Sequence, residues 1–514
     1  MKRTNILIYP LAIVKFIVPY LLQNALYQPH RDEFLYLAEG HHLAWGYLEI
    51  PPVLSVFAWL THYLGDTMFW VKFWPDLFGT LTFILAAKAV QKIGGGAVAT
   101  FLVFLPFVFG AYLRLFFLFQ PNTPEVFFWT LIAYAVLRYI QTKKSKFLYL
   151  LGVAIGLGML SKYSVGFFAV SILLGLLLTR QRRIFSDEHL YYAGGIALLI
   201  FLPTFLWEYN HHFPVLVHMK ELTRTQLQYV SPVSFLIDQL IMNLPCVFIW
   251  IAGLYYTAFT FEGRKYRSFA WSYVLVIILL LVLHGKNYYS LGIYPILFAF
   301  GACHLEAFCR YRSRSWRWAF FAIPVITGTL ILPIALPVST PVRLARYYQL
   351  MHFDKSGALK WEDLKDHPLP QDFADMLGWE EMARKAAEAY HTMSDSEQAR
   401  TFVFCDNYGE AGALNYYGPR YHLPEAHSDN GTFLFWLPKH IQLDNVLLVT
   451  DDTAEMSHPF VKDFASATVM GRITDPYARE KGSLIILFKG ANASMNEMFR
   501  DKIRKDLKVY GAAD

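Results

Sequence analysis

The sequence predicts a polytopic α-helical membrane protein of eleven spans, followed by a soluble α/β domain outside the membrane. Three observations carry this. Hydrophobic residues make up 55% of the 514 residues and charged residues only 17%, against about a quarter in soluble domains. Apolar runs of bilayer-crossing length recur from the N-terminus to about residue 336 and then stop. Cations collect in alternate loops between those runs, the pattern of a chain sorted with its positive loops inside the cell.

The net charge of +6 is modest, and its basic residues sit in short clusters between apolar runs, which argues against a nucleic-acid partner. Cys246, Cys303, Cys309 and Cys405 have no metal or redox spacing, and three of them lie in apolar runs. Lys2 and Arg3 precede an apolar run interrupted by Lys15 without a small-residue cleavage site, so this run reads as a retained first span.

A span needs roughly 17–25 apolar residues, fewer where protein shelters it. The runs fall near 5–27, 67–87, 97–119, 122–140, 147–160, 163–179, 190–207, 235–258, 268–284, 289–308 and 318–336. The fifth and sixth are short and meet at Ser161-Lys162-Tyr163, as two half-depth helices or one broken one. Gly152 and Gly156 form a small-xxx-small pair that suits close helix packing. Lys72 and Asp76, four residues apart in the second run, are expected to pair with each other, because each charge alone costs about 2.5–3.5 kcal/mol at mid-membrane.

The cytoplasmic set is Lys2 and Arg3; Lys88 and Lys92; Arg138, Lys143, Lys144 and Lys146; Arg180, Arg182 and Arg183; Arg264, Lys265 and Arg267; and Arg310, Arg312, Arg314 and Arg317. An odd number of spans then puts the C-terminal region outside. The outer face collects the polar window 28–52, the Gln120-Pro121-Asn122-Thr123 and Ser161-Lys162-Tyr163 turns, the loop 207–232 and the turn 284–289. Beyond Pro337 the charge content becomes ordinary. A helix is expected over 372–398 and strands at 401–405, 446–450 and 483–488, alternating with helical or Gly-rich stretches. The expected division is a membrane module over 1–336, with its outer loop at 28–66, and a soluble domain over 337–514.

The polar window is the densest chemical stretch, holding Asp32, Glu33, Glu39 and Glu49 with His30, His41 and His42. Adjacent acids on a helix point about 100° apart, so of Asp32 and Glu33 one can take a proton from a hydroxyl while the other orients it or holds a cation. The other reading is a helix N-terminus with acids favourably placed against the dipole. Glu49, fixed ahead of Pro51-Pro52, can bind a divalent ion together with His211, His212 or His218, although no compact ligand spacing marks such a site. The outer cations Lys162, Lys220, Arg224 and Lys286 suit a phosphate or diphosphate. Tyr288 and Tyr289, beside Lys286, fit either that site or an anchoring role at the membrane interface.

Several motifs together resemble a known family. They are Arg31-Asp32-Glu33 with Tyr36 and Leu37, Gly46-Tyr47-Leu48-Glu49-Ile50-Pro51-Pro52, Gly158-Met159-Leu160-Ser161-Lys162-Tyr163, Trp207-Glu208-Tyr209-Asn210 with Phe213-Pro214, and Gly285-Lys286-Asn287-Tyr288-Tyr289 through Tyr294-Pro295. In this order, over residues 5–336, the chain resembles the polyprenyl-phosphate-sugar-dependent glycosyltransferases of the protein O-mannosyltransferase and aminoarabinose-transferase type, with the GT-C fold. Asn407-Tyr408-Gly409-Glu410-Ala411-Gly412-Ala413 and Leu423-Pro424 look like the outer domain of a bacterial subgroup of family 39.

The resemblance implies a lipid-phosphate sugar donor, an acceptor lipid, glycan or protein, and reaction at the periplasmic face of a bacterial inner membrane. It implies Asp32 as general base, Glu33 as its partner and Glu49 at a position that holds a metal in aminoarabinose transferases. A divalent ion is therefore an expected cofactor, and a nucleotide is not. The chain departs from the pattern at Ile50, where a lysine follows the glutamate in those transferases, and at Asn122, where a second outer loop often reads Pro-Asp. A transporter or flippase, or an envelope-assembly scaffold with a periplasmic binding domain, are the rival readings; no internal repeat is evident for the former.

Overall fold

The computed structural model describes residues 2–313 and 315–512. Arg314, one of the cations assigned to the cytoplasmic set, lies outside the described residues, as do the side chains of Lys2 and Arg3. Each of the eleven apolar runs coincides with a helix or a helix pair. Among the described residues, five helices are long and apolar enough to cross a membrane, Met68–Ile93, Glu188–Asn210, Gly263–Val282, Asn287–Tyr311 and Trp316–Ala335, and two bent pairs bring the number to as many as seven. Ile6–Leu22, Ala97–Val108 and Lys146–Met159 are shorter apolar helices.

The short runs meeting at Ser161-Lys162-Tyr163 are two helices, Lys146–Met159 and Val165–Leu177. Gly152 and Gly156 do allow close packing. A Cβ on Gly152 would stand 2.3 Å from the Ala193 carbonyl oxygen, and one on Gly156 would stand 2.8 Å from Ile200 Cβ, both on Glu188–Asn210. The run 97–119 is divided: Ala97–Val108 ends ahead of Gly110, and a one-turn helix, Ala111–Leu115, follows.

The expected Lys72–Asp76 pair does not form. Lys72 Nζ lies 2.6 Å from both carboxylate oxygens of Glu33, while Asp76 pairs with Lys15, the cation interrupting the first run. Each charge thus finds an opposite charge on a different helix, which ties three segments together where an intrahelical pair would tie none. Glu33, Lys72, Lys15 and Asp76 are all buried, so pairing offsets their desolvation.

The C-terminal sheet has five strands: β1 (Thr401–Cys405), β2 (Ala426–His427), β3 (Asn445–Thr450), β4 (Phe464–Arg472) and β5 (Leu484–Ala491), in the order β2-β1-β3-β5-β4. β2, β1 and β3 run parallel, and β5 and β4 are antiparallel additions. The expected helix over 372–398 is three pieces, Gln371–Ala374, Trp379–Tyr390 and Asp395–Gln398. Gly378, at φ +87°, turns the chain between the first two, a conformation that glycine adopts without steric cost. Helix Ala493–Val509 covers one sheet face through Met495, Phe499 and Ile503. The other face packs on Trp379–Tyr390 and Tyr408–Tyr417, and Phe34, Leu35 and Ala38 of the first outer loop join that same core.

Candidate active site

The polar window folds into helix Arg31–Glu39, an irregular stretch and helix Val53–Tyr63. The first helix starts at a capping box. His30 Nδ1 accepts from the Asp32 amide at 3.2 Å, and the His30 amide donates to Glu33 Oε2 at 2.7 Å. Capping separates the two adjacent acids. Glu33 points inward to Lys72 and also accepts from the Phe119 amide, with no exposed surface. Asp32 points outward with its side chain 33% exposed, so of the two only Asp32 can meet a ligand.

The Asp32 carboxylate accepts from Tyr408 Oη at 2.9 Å on Oδ1 and from Gln120 Nε2 at 3.3 Å on Oδ2. Gln120 Oε1 in turn accepts from Asn122 Nδ2 at 3.4 Å, and Asn122 Oδ1 accepts from Lys162 Nζ. A polar chain therefore runs from Asp32 to Lys162. Lys162 also meets Glu125 Oε2 at 3.0 Å and sits over the rings of Tyr289 and Tyr288, 4.3 Å and 5.7 Å from their centroids. The two loops are tied by the Val53 amide, which follows Pro51-Pro52 and donates to the Leu160 carbonyl at 3.0 Å. Asn122, where the resemblance led one to look for an aspartate, bridges Asp32's partner to the lysine.

Residues 371–375 close another side. His30 Nε2 lies 3.6 Å from Asp375 Oδ2 and 3.9 Å from Asp372 Oδ1, and Arg114 Nη1 donates to Asp372 Oδ2 at 2.8 Å. Loss of solvent opposes the Asp372 charge, yet Arg114, His30 and Lys286 together hold its carboxyl below the usual carboxylate range. Lys286 thus stands on the Asp372 side of the site.

Arg224 is not part of this cluster. It is exposed on helix Pro214–Thr225, and its guanidinium forks onto Glu221 of the same helix, Nη2 to Oε1 at 2.7 Å. The expected metal set of Glu49, His211 and His218 does not converge either. Glu49 accepts from the Thr432 amide at 3.0 Å and from the Thr432 hydroxyl. His211 Nδ1 donates to the Trp207 carbonyl at 2.8 Å with its ring stacked on Trp207. His218 is half-buried, and loss of solvent with the Lys286 charge lowers its basicity. These residues do not fit a shared ion. Among the described residues, the one His/Cys/Asp/Glu trio with ligand atoms within 4.8 Å of one another is Asp452, Glu455 and His458, past the end of β3.

Glu39 ends helix Arg31–Glu39 fully buried, with neither carboxylate oxygen hydrogen-bonded. Burial, reinforced by the Glu49 charge, pushes its carboxyl well above the ordinary range. Burial likewise raises Glu49, against the opposing hydrogen bonds from Thr432.

Reasoning from sequence missed Glu125, Thr432 and Tyr408 as partners. Glu125 had a signal, an acid in the first turn of an apolar helix one outer turn away from an unmatched lysine. Tyr408 had no local one, since it reaches Asp32 across 376 residues.

An apolar helical bundle under a sheet domain, with an outward carboxylate and a lysine on the same surface, has the architecture of the GT-C membrane glycosyltransferases. Residues 49–207 match the family model described as dolichyl-phosphate-mannose-protein mannosyltransferase. The chain is similar to ArnT from Cupriavidus metallidurans bound to undecaprenyl phosphate, at 14% identity over 94% of this chain and 97% of that one, with a TM-score of 0.62. The apo state of the same protein matches at 13% identity over the same shares, with a TM-score of 0.59. No curated protein matches the sequence. The chain is a membrane protein with the GT-C fold.

Proposed function

We propose that this protein transfers a sugar from a polyprenyl-phosphate donor to a hydroxyl of a lipid, glycan or protein acceptor at the outer face of a bacterial inner membrane. The N-terminus lies in the cytoplasm, residues 1–336 form the membrane module and 337–514 the outer domain. The observation that carries the reading is the polar chain joining partly exposed Asp32 to Lys162 on one surface of an apolar bundle. The similar ArnT structure holds undecaprenyl phosphate, and the matching family model describes a lipid-phosphate mannosyltransferase.

Asp32 takes the proton of the acceptor hydroxyl, whose oxygen attacks the anomeric carbon. The bond from that carbon to the phosphate oxygen breaks with inversion, and the polyprenyl phosphate leaves with the electron pair. Lys162 meets the charge that develops on the phosphate, Tyr288 and Tyr289 hold its ammonium in place, and Lys286 adds a second cation on the Asp372 side. Glu33 acts through position by fixing the helix that carries Asp32.

The test is purified full-length protein in lipid nanodiscs with a radiolabelled panel of undecaprenyl-phosphate sugars and envelope lipid extract as acceptor. Asp32→Asn, folded by thermal melt, is expected to lose nearly all transfer. Transfer at the wild-type rate by that variant removes Asp32 as base. Donor flipping without transfer would favour the transporter instead.

A further inference from the structure

We infer that Tyr408, from the C-terminal sheet domain, is a positioning residue for the Asp32 carboxylate, and that the segment Asn407–Ala413 is the device that delivers it. The inference rests on the reading of Asp32 as base. Asn407 starts helix Tyr408–Tyr417 through a capping box with Glu410. Residues 408, 412 and 416 recur at spacings of four and 409 lies three before 412, so all four fall on one side of the helix, and every one of them meets the segment that carries Asp32.

Tyr408 Oη donates to Asp32 Oδ1 at 2.9 Å, and Arg31 lies 5.1 Å over the Tyr408 ring. Gly409 and Gly412 allow the approach. A Cβ on Gly409 would stand 2.6 Å from Arg31 Cγ, and one on Gly412 would stand 2.8–2.9 Å from Phe34 Cβ and backbone. Tyr416 packs its ring 5.7 Å from Phe34 and donates to the Asp66 carbonyl. Two small residues on the contacting face bring the helices close enough for one phenol to reach the carboxylate. Gly409→Ala or a larger residue at 412 would force them apart.

The bond fixes which Asp32 oxygen is left open. Tyr408 occupies Oδ1 and Gln120 approaches Oδ2 at the longer 3.3 Å, so an acceptor hydroxyl displaces the weaker partner. The titratable and charged groups around Asp32 are His30, Arg31 and Tyr36 of its own segment, Glu49, Tyr288, Asp375 and Tyr408. Among them Tyr408 donates a hydrogen bond to the carboxylate. Such a bond holds the carboxylate in one orientation.

The test uses full-length protein in nanodiscs and Tyr408→Phe, which keeps the ring under Arg31 and removes only the hydroxyl. Two readouts are taken. The first is the infrared carboxylate stretch of Asp32, taken as the difference spectrum against Asp32→Asn at one pH. The second is undecaprenyl phosphate release from undecaprenyl-phosphate mannose, or from whichever sugar of the panel turns over. The carboxylate stretch of Asp32 is expected to shift as the hydrogen bond from Tyr408 Oη is lost. The kcat is expected to fall about tenfold or more, with donor KM within about twofold and the thermal midpoint unchanged. An unchanged carboxylate stretch with unchanged kcat overturns the inference, and so does a loss confined to KM. If Asp32→Asn itself turns over normally, the reading of the base fails, while the infrared shift still decides the contact.

Discussion

Lys72 Nζ is 2.6 Å from both oxygens of Glu33, and neither side chain exposes more than 1% of its surface. This pair joins helix Met68–Ile93 to the helix that presents Asp32, so the Asp32 carboxylate is anchored in the bundle through its sequence neighbour. Breaking a buried pair from one side costs about 3–5 kcal/mol, because the other charge is left alone. Lys72→Met is therefore expected to lower the thermal midpoint by several degrees. Lys72→Met with Glu33→Gln is expected to lose less than the sum of the two single changes. A double-mutant cycle of thermal melts in one detergent reads this, and strict additivity would show that the pair does not couple.

Lys162 is the cation expected to take the donor phosphate. A hydrogen bond to a charged group is worth about 1.5–3 kcal/mol, so Lys162→Gln is expected to weaken donor use roughly 10- to 100-fold. Arg224→Ala, which removes an exposed guanidinium already forked onto Glu221, should leave donor KM within about twofold. Donor titration of the three proteins separates the two cations. Equal losses would return Arg224 to the site.

Glu39 gives a pH signature. Its folded carboxyl is raised above the ordinary value of 4.5, by burial first and then by Glu49. A raised folded value stabilises fully below the unfolded one and loses that contribution as pH rises through the folded one. Glu39→Gln, which carries no such proton, is expected to match wild type near pH 4.5 and to become progressively more stable than it toward pH 8. Thermal melts across that range check the sign, and a constant difference would mean that Glu39 has the same affinity for its proton in both states.

Much of the fold was legible because apolar runs and strand composition are local signals. All eleven runs hold helices, and β1, β3 and β5 fall where Thr401-Phe402-Val403, Val446-Leu447-Leu448 and Leu484-Ile485-Ile486 place them. β4 escaped because it is an edge strand, half exposed and built largely of small residues without a clean apolar alternation, and β2 is only two residues long. Asp32 and Lys162 stood out as an acid and a cation on the outer face. Their connection did not, because Gln120, Asn122 and Tyr408 are ordinary residues whose meaning lies in distance. Lys72 and Asp76 show the same limit. The i,i+4 spacing offers a partner by proximity along one helix, and the bundle supplies better ones from elsewhere.

The placement of Phe34 in the core of the sheet domain has a consequence for biosynthesis. The first outer loop emerges early, but the tyrosine that meets Asp32 is made 376 residues later. At about 5–20 residues per second, that delay is roughly 20–75 s. Through it the nascent loop carries an unshielded Phe34 and an Asp32 without its Tyr408 partner, and both contacts wait for the last third of the chain. A ribosome stalled before residue 408 therefore leaves a complete set of membrane helices and a site still unassembled.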